Sequence, residues 1–212
     1  MGPPLSAGNR EAAIMVWPDT EGTPPSFPVV CIGGSAGSLA AYVDILRHFP
    51  VGAGFAVVIV SHRSTENSGL LLKLLAKATR MEIVEVTDGM LLEAGRIFLS
   101  PPHREITTDG LVLKLATGFT GHDGWPTLIS DFMLSMANMC TDRAIAIIVS
   151  GMGFDGSSAL LAIKEAGGWT FAQSDADYMS MPQAAIDTKK IDFILSADEI
   201  GERLASLDAH LQ

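Results

Sequence analysis

A hydroxyl, an imidazole and a carboxylate each follow an apolar stretch of this 212-residue chain. Ser35 lies in a Gly-x-Ser-x-Gly pattern, whose glycines allow a sharp turn that exposes the serine hydroxyl. His62 directly follows an apolar run, and Asp155 lies in a glycine-rich turn after another. A base oriented by a carboxylate can activate a serine for attack on a carbonyl carbon. The three residues therefore predict a nucleophilic hydrolase site.

Each of these residues also has an ordinary structural explanation. Ser35 can cap a helix that follows its glycine-rich turn, and Asp155 can cap a helix that begins near Ser157. His62 can be a surface loop histidine. These alternatives stay open for each residue taken alone, whereas the common position of all three at strand-like ends favours one shared site. The turn around Asp155 also leaves the Met152 N–H as a candidate donor to an oxyanion.

Two other kinds of site fit the sequence less well. A dinucleotide-binding pattern that begins at Gly33 needs glycine where Ser35 and Ser38 stand. The candidate metal ligands are His62, His103, His122 and Asp123. Their spacing does not resemble that of a ligand pair on a helix or in a loop. We therefore expect neither a metal nor a cofactor.

The elements around these residues alternate between apolar, strand-like runs and helix-like stretches. The predicted strands are 29–32, 55–60, 144–149, 169–172 and 192–195. The predicted helices are 39–48, 69–78, 128–139, 157–166 and 197–207. Strands that are apolar throughout indicate a parallel sheet covered on both faces, and ligands bind beyond the carboxyl ends of such strands. Ser35, His62 and Asp155 all lie at such ends.

The middle of the chain has a different pattern. It contains short strand candidates at 82–86, 96–99, 105–108 and 111–115, and Thr108-Asp109-Gly110 is typical of a hairpin turn. We interpret this region as an antiparallel insertion. The predicted fold is thus a doubly wound, mostly parallel three-layer α/β sandwich with a small antiparallel hairpin. Residues 1–27 are predicted to be a flexible leader and residues 28–212 a single domain.

Composition narrows the classes of partner. The net charge of −10 and the sequence pI of about 4.8 disfavour a nucleic-acid or anionic-membrane surface. No apolar run is long enough to cross a bilayer, and we find no secretory signal, so membrane insertion is not expected. Cys31 and Cys140 lie far apart in apolar stretches, which is typical of buried thiols in a reducing compartment. These features predict a cytoplasmic protein.

Five stretches resemble the catalytic domain of the CheB-type protein-glutamate methylesterases. They are VVCIGGSAGS at 29–38, VVIVSH at 57–62, VTDGMLLEAGRIFLSPP at 86–102, VSGMGFDGSSALLAIKEAGGWTFAQ at 149–173 and MPQAA at 181–185. The resemblance covers about residues 28–207. The chain is also similar to the esterase half of esterase–methyltransferase fusions. The chain order Ser, His, Asp differs from the Ser, Asp, His of α/β-hydrolases, which supports this family over that one.

The resemblance implies a serine hydrolase of bacterial chemotaxis that demethylates glutamate methyl esters on the cytoplasmic helices of chemoreceptors and releases methanol. Family members also deamidate certain receptor glutamines. Carried over by motif, Ser35 is the nucleophile, His62 the base and Asp155 the orienting acid. The backbone N–H groups of Met152 and Ala36 form the oxyanion hole. No metal or cofactor is implied.

Two departures from the family pattern bear on function. Trp125-Pro126-Thr127-Leu128 stands where many members have Arg-Pro-Ser-Val, which affects substrate recognition. The residues before Pro28 are too few for the receiver domain of the phosphorelay that usually precedes this domain, so control by an attached receiver is not expected. Two alternatives remain: a non-catalytic interaction module that keeps the fold, and an esterase for small molecules. A further hypothesis places a basic docking patch on Arg63, Lys73, Lys77 and Arg80.

Overall fold

A seven-stranded parallel sheet forms the centre of the protein. The computed structural model describes residues 25–62, 68–116, 121–122 and 125–211. The strands are β1 (Val29–Gly34), β2 (Ala56–Ser61), β3 (Glu82–Glu85), β4 (Arg96–Leu99), β5 (Ile106–Asp109), β6 (Val112–Leu115), β7 (Gly121–His122), β8 (Trp125–Pro126), β9 (Ala144–Ile148), β10 (Trp169–Gln173) and β11 (Phe193–Leu195). The large sheet has the order β11-β10-β9-β1-β2-β4-β3, and its strand pairs are parallel.

Six α-helices cover the two faces of this sheet. They are α1 (Ser38–Leu46), α2 (Ser68–Ala78), α3 (Leu128–Cys140), α4 (Leu160–Glu165), α5 (Ser180–Asp187) and α6 (Ala197–Leu211). Buried side chains of α1, α2 and α6 pack on one face, and those of α3, α4 and α5 pack on the other. The predicted doubly wound three-layer sandwich is therefore confirmed. No helix in the described part of the chain combines the length and apolar character that crossing a bilayer requires.

The central strands are buried along their whole length, which explains their uniformly apolar sequences. Every residue of β1, β2 and β9 is buried. Alternate side chains of each strand enter opposite faces, so Cys31 joins the core under α3 while Ile32 joins the core under α1. These three strands are adjacent, with β1 between β9 and β2.

One prediction for the middle of the chain is wrong. β3 and β4 do not belong to an antiparallel insertion, because β4 pairs in parallel with β2, and β3 pairs in parallel with β4. Only β5 and β6 form the predicted hairpin, and its ends meet at Asp109 and Val112, so the turn lies one residue later than expected. A further small antiparallel pair joins β7 and β8.

Two other elements differ from the sequence-based expectation. The helix predicted at 157–166 begins as a 3₁₀ turn, Ser157–Ala159, and continues as α4. The helix α5 was not predicted. Of the leader predicted at 1–27, residues 1–24 lie outside the described residues. The boundary between this leader and the domain stays a prediction.

Candidate active site

The predicted site residues follow three adjacent strands at the same edge of the sheet. Gly34 at the end of β1 is in register with Ser61 at the end of β2, so Ser35 and His62 begin neighbouring loops. Neighbouring strands lie about 4.8 Å apart, which brings these loops side by side. The loop that contains Asp155 follows β9, the other neighbour of β1. The chain leaves β1 for β2 on one side and returns to β9 on the other, which is the switch point where such sheets bind ligands.

The turn that contains Ser35 is held by hydrogen bonds of its main chain. The Ser35 N–H donates to the Ser150 carbonyl at 2.9 Å, and the Ser35 carbonyl accepts from the Ser38 N–H at 3.2 Å and the Ser38 hydroxyl at 2.6 Å. Gly37 caps α1 with φ of 72°, and a Cβ there would lie 2.8 Å from Ser150 Oγ. Ser35 therefore sits on a tight turn just before a helix N-terminus, which favours negative charge.

His62 and Asp155 are in direct contact. His62 Nε2 lies 2.7 Å from Asp155 Oδ2, and both side chains are largely or fully buried. The His62 N–H also approaches the Gly34 carbonyl at 3.4 Å, which places the histidine main chain beside the residue that precedes Ser35. Of the predicted residues, the structure thus joins His62 to Asp155 and sets both beside the Ser35 turn. In the described residues, Ser35 Oγ makes no hydrogen bond.

The Asp155 carboxylate is surrounded by donors from the start of α3. Oδ2 accepts from the Ile129 N–H at 3.0 Å as well as from His62, and Oδ1 accepts from the Ser130 N–H at 3.0 Å. Oδ1 also accepts from the Ser130 hydroxyl and the Gly156 N–H, both at 2.7 Å. Asp155 therefore caps α3, which precedes it in the chain, and the cap expected near Ser157 is not the one it forms.

These hydrogen bonds determine the charge of the Asp155 carboxylate. Burial alone would raise the pKa of Asp155, but the bonds from His62, Ile129 and Ser130 outweigh burial and lower it. The carboxylate is therefore charged at neutral pH and can only accept. Neutral His62 must then carry its proton on Nε2, which leaves the Nδ1 lone pair free.

Two backbone donors near Ser35 make no hydrogen bond to another described residue. Their neighbours are engaged: the Gly151 N–H donates to the Tyr178 carbonyl at 3.0 Å, and the Gly153 N–H donates to Ser180 Oγ at 3.2 Å. The Met152 and Ala36 N–H groups, by contrast, have no partner in the part of the chain that the structure describes. They are the two donors that the sequence analysis assigned to an oxyanion.

The sequence motifs did not indicate the polar residues that hold these loops together. Ser150 is buried; its N–H donates to Gln173 Oε1 at 2.9 Å, and its hydroxyl donates to the Ala36 carbonyl at 2.8 Å. The same hydroxyl accepts from the Tyr178 N–H at 3.0 Å. Ser130 plays a comparable part at Asp155. Both serines could have been identified from one signal in the sequence, which is a polar residue directly after an apolar strand or in the first turn of an apolar helix.

Apolar side chains surround the mouth of the site. Met152 and Phe154 are 63% and 57% exposed, and together with His62 and Pro126 they line a shallow depression. Tyr178 is also exposed, and it lies beside Gly37. Exposed apolar side chains around a polar centre are typical of a surface that receives another molecule.

Two members of the proposed basic patch lie away from Ser35. Arg63 is outside the described residues, and Lys73 lies in the middle of α2. Lys77 lies in the last turn of α2, and Arg80 precedes β3. Because α2 returns from the carboxyl end of β2 to the amino end of β3, Lys77 and Arg80 lie at the edge of the sheet opposite Ser35. There they line a groove with Arg47 and His48.

Fold and site together define a doubly wound α/β protein that gathers serine, histidine and aspartate at the carboxyl edge of its sheet. The CheB methylesterase family matches the chain over residues 30–204. The chain therefore belongs to the CheB methylesterase family.

Individual relatives agree with this assignment. A protein-glutamate methylesterase/protein-glutamine glutaminase of Anaeromyxobacter dehalogenans (strain 2CP-C) is 34% identical over 83% of this chain and 53% of its own length. One from Moorella thermoacetica is 30% identical over 88% of this chain and 45% of its own. The chain thus spans about half the length of these relatives. The catalytic domain of Thermotoga maritima CheB methylesterase has the same fold, with a TM-score of 0.78 at 22% identity over 85% of this chain and 98% of that domain.

Proposed function

We propose that this domain is a serine hydrolase that cleaves glutamate methyl esters on chemoreceptors to carboxylate and methanol. The observation that carries the proposal is the contact between His62 Nε2 and Asp155 Oδ2 beside the Ser35 turn. The names of the relatives support the substrate, and they extend it to the side-chain amide of glutamine. Chemoreceptor cytoplasmic helices are then the partner, and the cytoplasm is the compartment.

In this proposal, His62 Nδ1 takes the proton from Ser35 Oγ while that oxygen bonds to the ester carbon. The carbonyl electron pair moves onto oxygen, and the tetrahedral intermediate collapses as the C–O bond to methoxide breaks. The protonated imidazole gives its proton to the leaving group, so methanol departs. Water then repeats the sequence on the acyl-enzyme, with His62 again as base, and releases the glutamate carboxylate.

The ionised Asp155 carboxylate assists these proton transfers. It accepts from Nε2, so it fixes the tautomer that presents Nδ1 as acceptor and stabilises the imidazolium that forms. The N–H groups of Met152 and Ala36, which have no partner among the described residues, are the donors that we assign to the oxyanion. One such donor is typically worth about 10²–10³ in turnover.

Methanol release from a methyl-labelled receptor tests the proposal, with hydrolysis of a small aryl ester measured alongside. We expect label to appear as methanol at a rate proportional to protein concentration. Aryl-ester hydrolysis without methanol release would favour the small-ester esterase. Neither activity in a folded protein would favour the non-catalytic module.

The groove that Lys77 and Arg80 line with Arg47 and His48 lies away from Ser35, which leads to a second expectation. Charge reversal at Lys77 and Arg80 (Lys77→Glu with Arg80→Glu) should leave methanol release within about twofold of wild type, because rim charges act mainly through encounter and these lie at the far edge of the sheet. Receptor concentration should be varied at low and high salt to obtain KM in each condition. A KM that rises severalfold in the double variant at low salt would contradict this and restore the basic docking patch.

A further inference from the structure

The hydroxyl of Ser130 is placed to control the orientation of Asp155. Ser130 is buried in the first turn of α3, and its hydroxyl donates to Asp155 Oδ1 at 2.7 Å. The other carboxylate oxygen, Oδ2, binds His62 Nε2. The two oxygens of one carboxylate are thus held by Ser130 on one side and by the histidine on the other.

The surroundings of Ser130 leave its hydroxyl a single direction. Oγ accepts from the Gly156 N–H at 2.8 Å and from the Ser158 hydroxyl at 3.0 Å. With both acceptor positions filled, its one proton can only point at Asp155 Oδ1, which is itself an acceptor. A hydroxyl that cannot rotate is a fixed dipole, and it favours one side-chain rotamer of the aspartate.

From this geometry we infer that Ser130 is a positioning residue: its hydroxyl, beside three main-chain N–H donors, helps to hold the Asp155 carboxylate in the rotamer that orients His62 Nδ1 toward Ser35. The inference rests on the proposed function, because orientation of the imidazole matters to a base. Ser130 itself touches no reacting atom in that mechanism.

Loss of the Ser130 hydroxyl should alter the chemistry more than the fold. The Gly156 N–H keeps its bond to Asp155 Oδ1, and the exposed Ser158 hydroxyl can turn to water. Asp155 also keeps its bonds to the Ile129 and Ser130 N–H groups. No buried polar group is left without a partner, so Ser130→Ala should fold.

Other titratable groups lie around Asp155. His62 donates to it, and Cys31 has its pKa raised by burial and by the charge of Asp155, so that the thiol stays neutral. Asp131 lies in the same turn of α3 as Ser130 and accepts from Thr127 Oγ1 at 2.8 Å. Ser130→Ala replaces none of these groups, so we assign its effect on the rate to the lost hydroxyl bond to Asp155.

Steady-state methanol release should be measured for wild type, Ser130→Ala, Ser130→Thr and Ser206→Ala. In Ser130→Ala we expect kcat to fall about tenfold with KM within about twofold, because the orientation of the base matters to the chemical step and not to substrate binding. Ser130→Thr keeps the hydroxyl and should restore most of kcat. Ser206→Ala removes an exposed serine hydroxyl of α6 and, as the control, should stay within about twofold of wild type.

The NMR signal of the His62 Nε2–H group, which binds Asp155, gives a readout that does not depend on activity. This signal should move in Ser130→Ala, because the carboxylate that it binds loses one of its donors, and should stay unchanged in Ser206→Ala. A folded Ser130→Ala with the wild-type imidazole signal and kcat overturns the positioning role, as does a variant that loses only stability. If the alanine variant does not fold, Ser130→Cys, which is similar in size and a weaker donor, replaces it. A wild type without methanol release refutes the proposed function, whereas the imidazole signal still decides the role of Ser130.

Discussion

Replacing Ser35 by alanine is expected to lower methanol release by at least about 10³-fold and to leave the fold intact. The chemistry is lost because Oγ is the atom that attacks the ester carbon in the proposed mechanism. The fold is kept because the turn is held by main-chain groups of Ser35, its N–H to Ser150 and its carbonyl to Ser38. Turnover and thermal midpoint should be measured on the same preparations.

The control for this experiment removes a hydroxyl far from the site. Ser206 lies in α6, and its exposed hydroxyl donates to the Arg203 carbonyl at 2.7 Å. Ser206→Ala should keep wild-type turnover. A stable Ser35→Ala protein with turnover near that of Ser206→Ala would remove Ser35 as nucleophile and leave His62 and Asp155 without an established partner.

The centre of the fold could be predicted because its local sequence and its environment agree. β1, β2 and β9 are apolar at every position, and each is buried on both faces, so burial in a parallel sheet follows from composition alone. The residues after these strands could be placed for the same reason. Parallel strands deliver their carboxyl ends to one edge, whatever the order of the strands.

The strand at the edge of the sheet could not be predicted from its local composition. β3 has exposed residues at both ends and partly exposed residues between them, so it lacks the sequence of a buried strand. Its pairing with β4 depends on a contact across the sheet that no short window contains. Helix α5 was missed for another reason: Pro182 interrupts its pattern, although proline is tolerated in the first turn of a helix.

The site shows the same division between local and long-range information. The pattern around Asp155 predicted a carboxylate at a strand end, and the structure joins it to His62 as the motif implied. That it also caps α3, through Ile129 and Ser130, could not be predicted, because those residues lie about 25 positions earlier in the chain. Sequence identifies the reactive groups, whereas the bonds that orient them arise from tertiary packing.

This double role of Asp155 leads to an expected loss of both activity and stability in Asp155→Asn. An amide has one acceptor oxygen, and its NH₂ group must face N–H donors in either orientation: Ile129 and His62 on one side, Ser130 and Gly156 on the other. We expect turnover to fall about 10⁴-fold, as when a triad aspartate is neutralised. The free energy of unfolding at neutral pH should fall by about 3 kcal/mol, because buried donors lose their acceptor.

The stability difference between wild type and Asp155→Asn should depend on pH in a defined direction. The pKa of Asp155 is lowered in the folded protein, so its charged form contributes stability at all pH values above the usual aspartate pKa of about 3.9. That contribution is lost as the pH falls through the lowered pKa, and the two proteins should then converge. Urea unfolding at pH values from about 7 down to 3 measures the difference.

Asp131→Asn is the matched control, because it neutralises a carboxylate in the first turn of the same helix. It should keep turnover and cost far less stability, since the Asp131 carboxylate accepts from Thr127 Oγ1, whereas Asp155 binds both His62 and the start of α3. If Asp155→Asn and Asp131→Asn lose equal stability, charge at the helix terminus explains the effect and specific capping does not. If Asp155→Asn is inactive and yet as stable as wild type at every pH, the carboxylate serves His62 alone, and the bonds from α3 do not stabilise the fold.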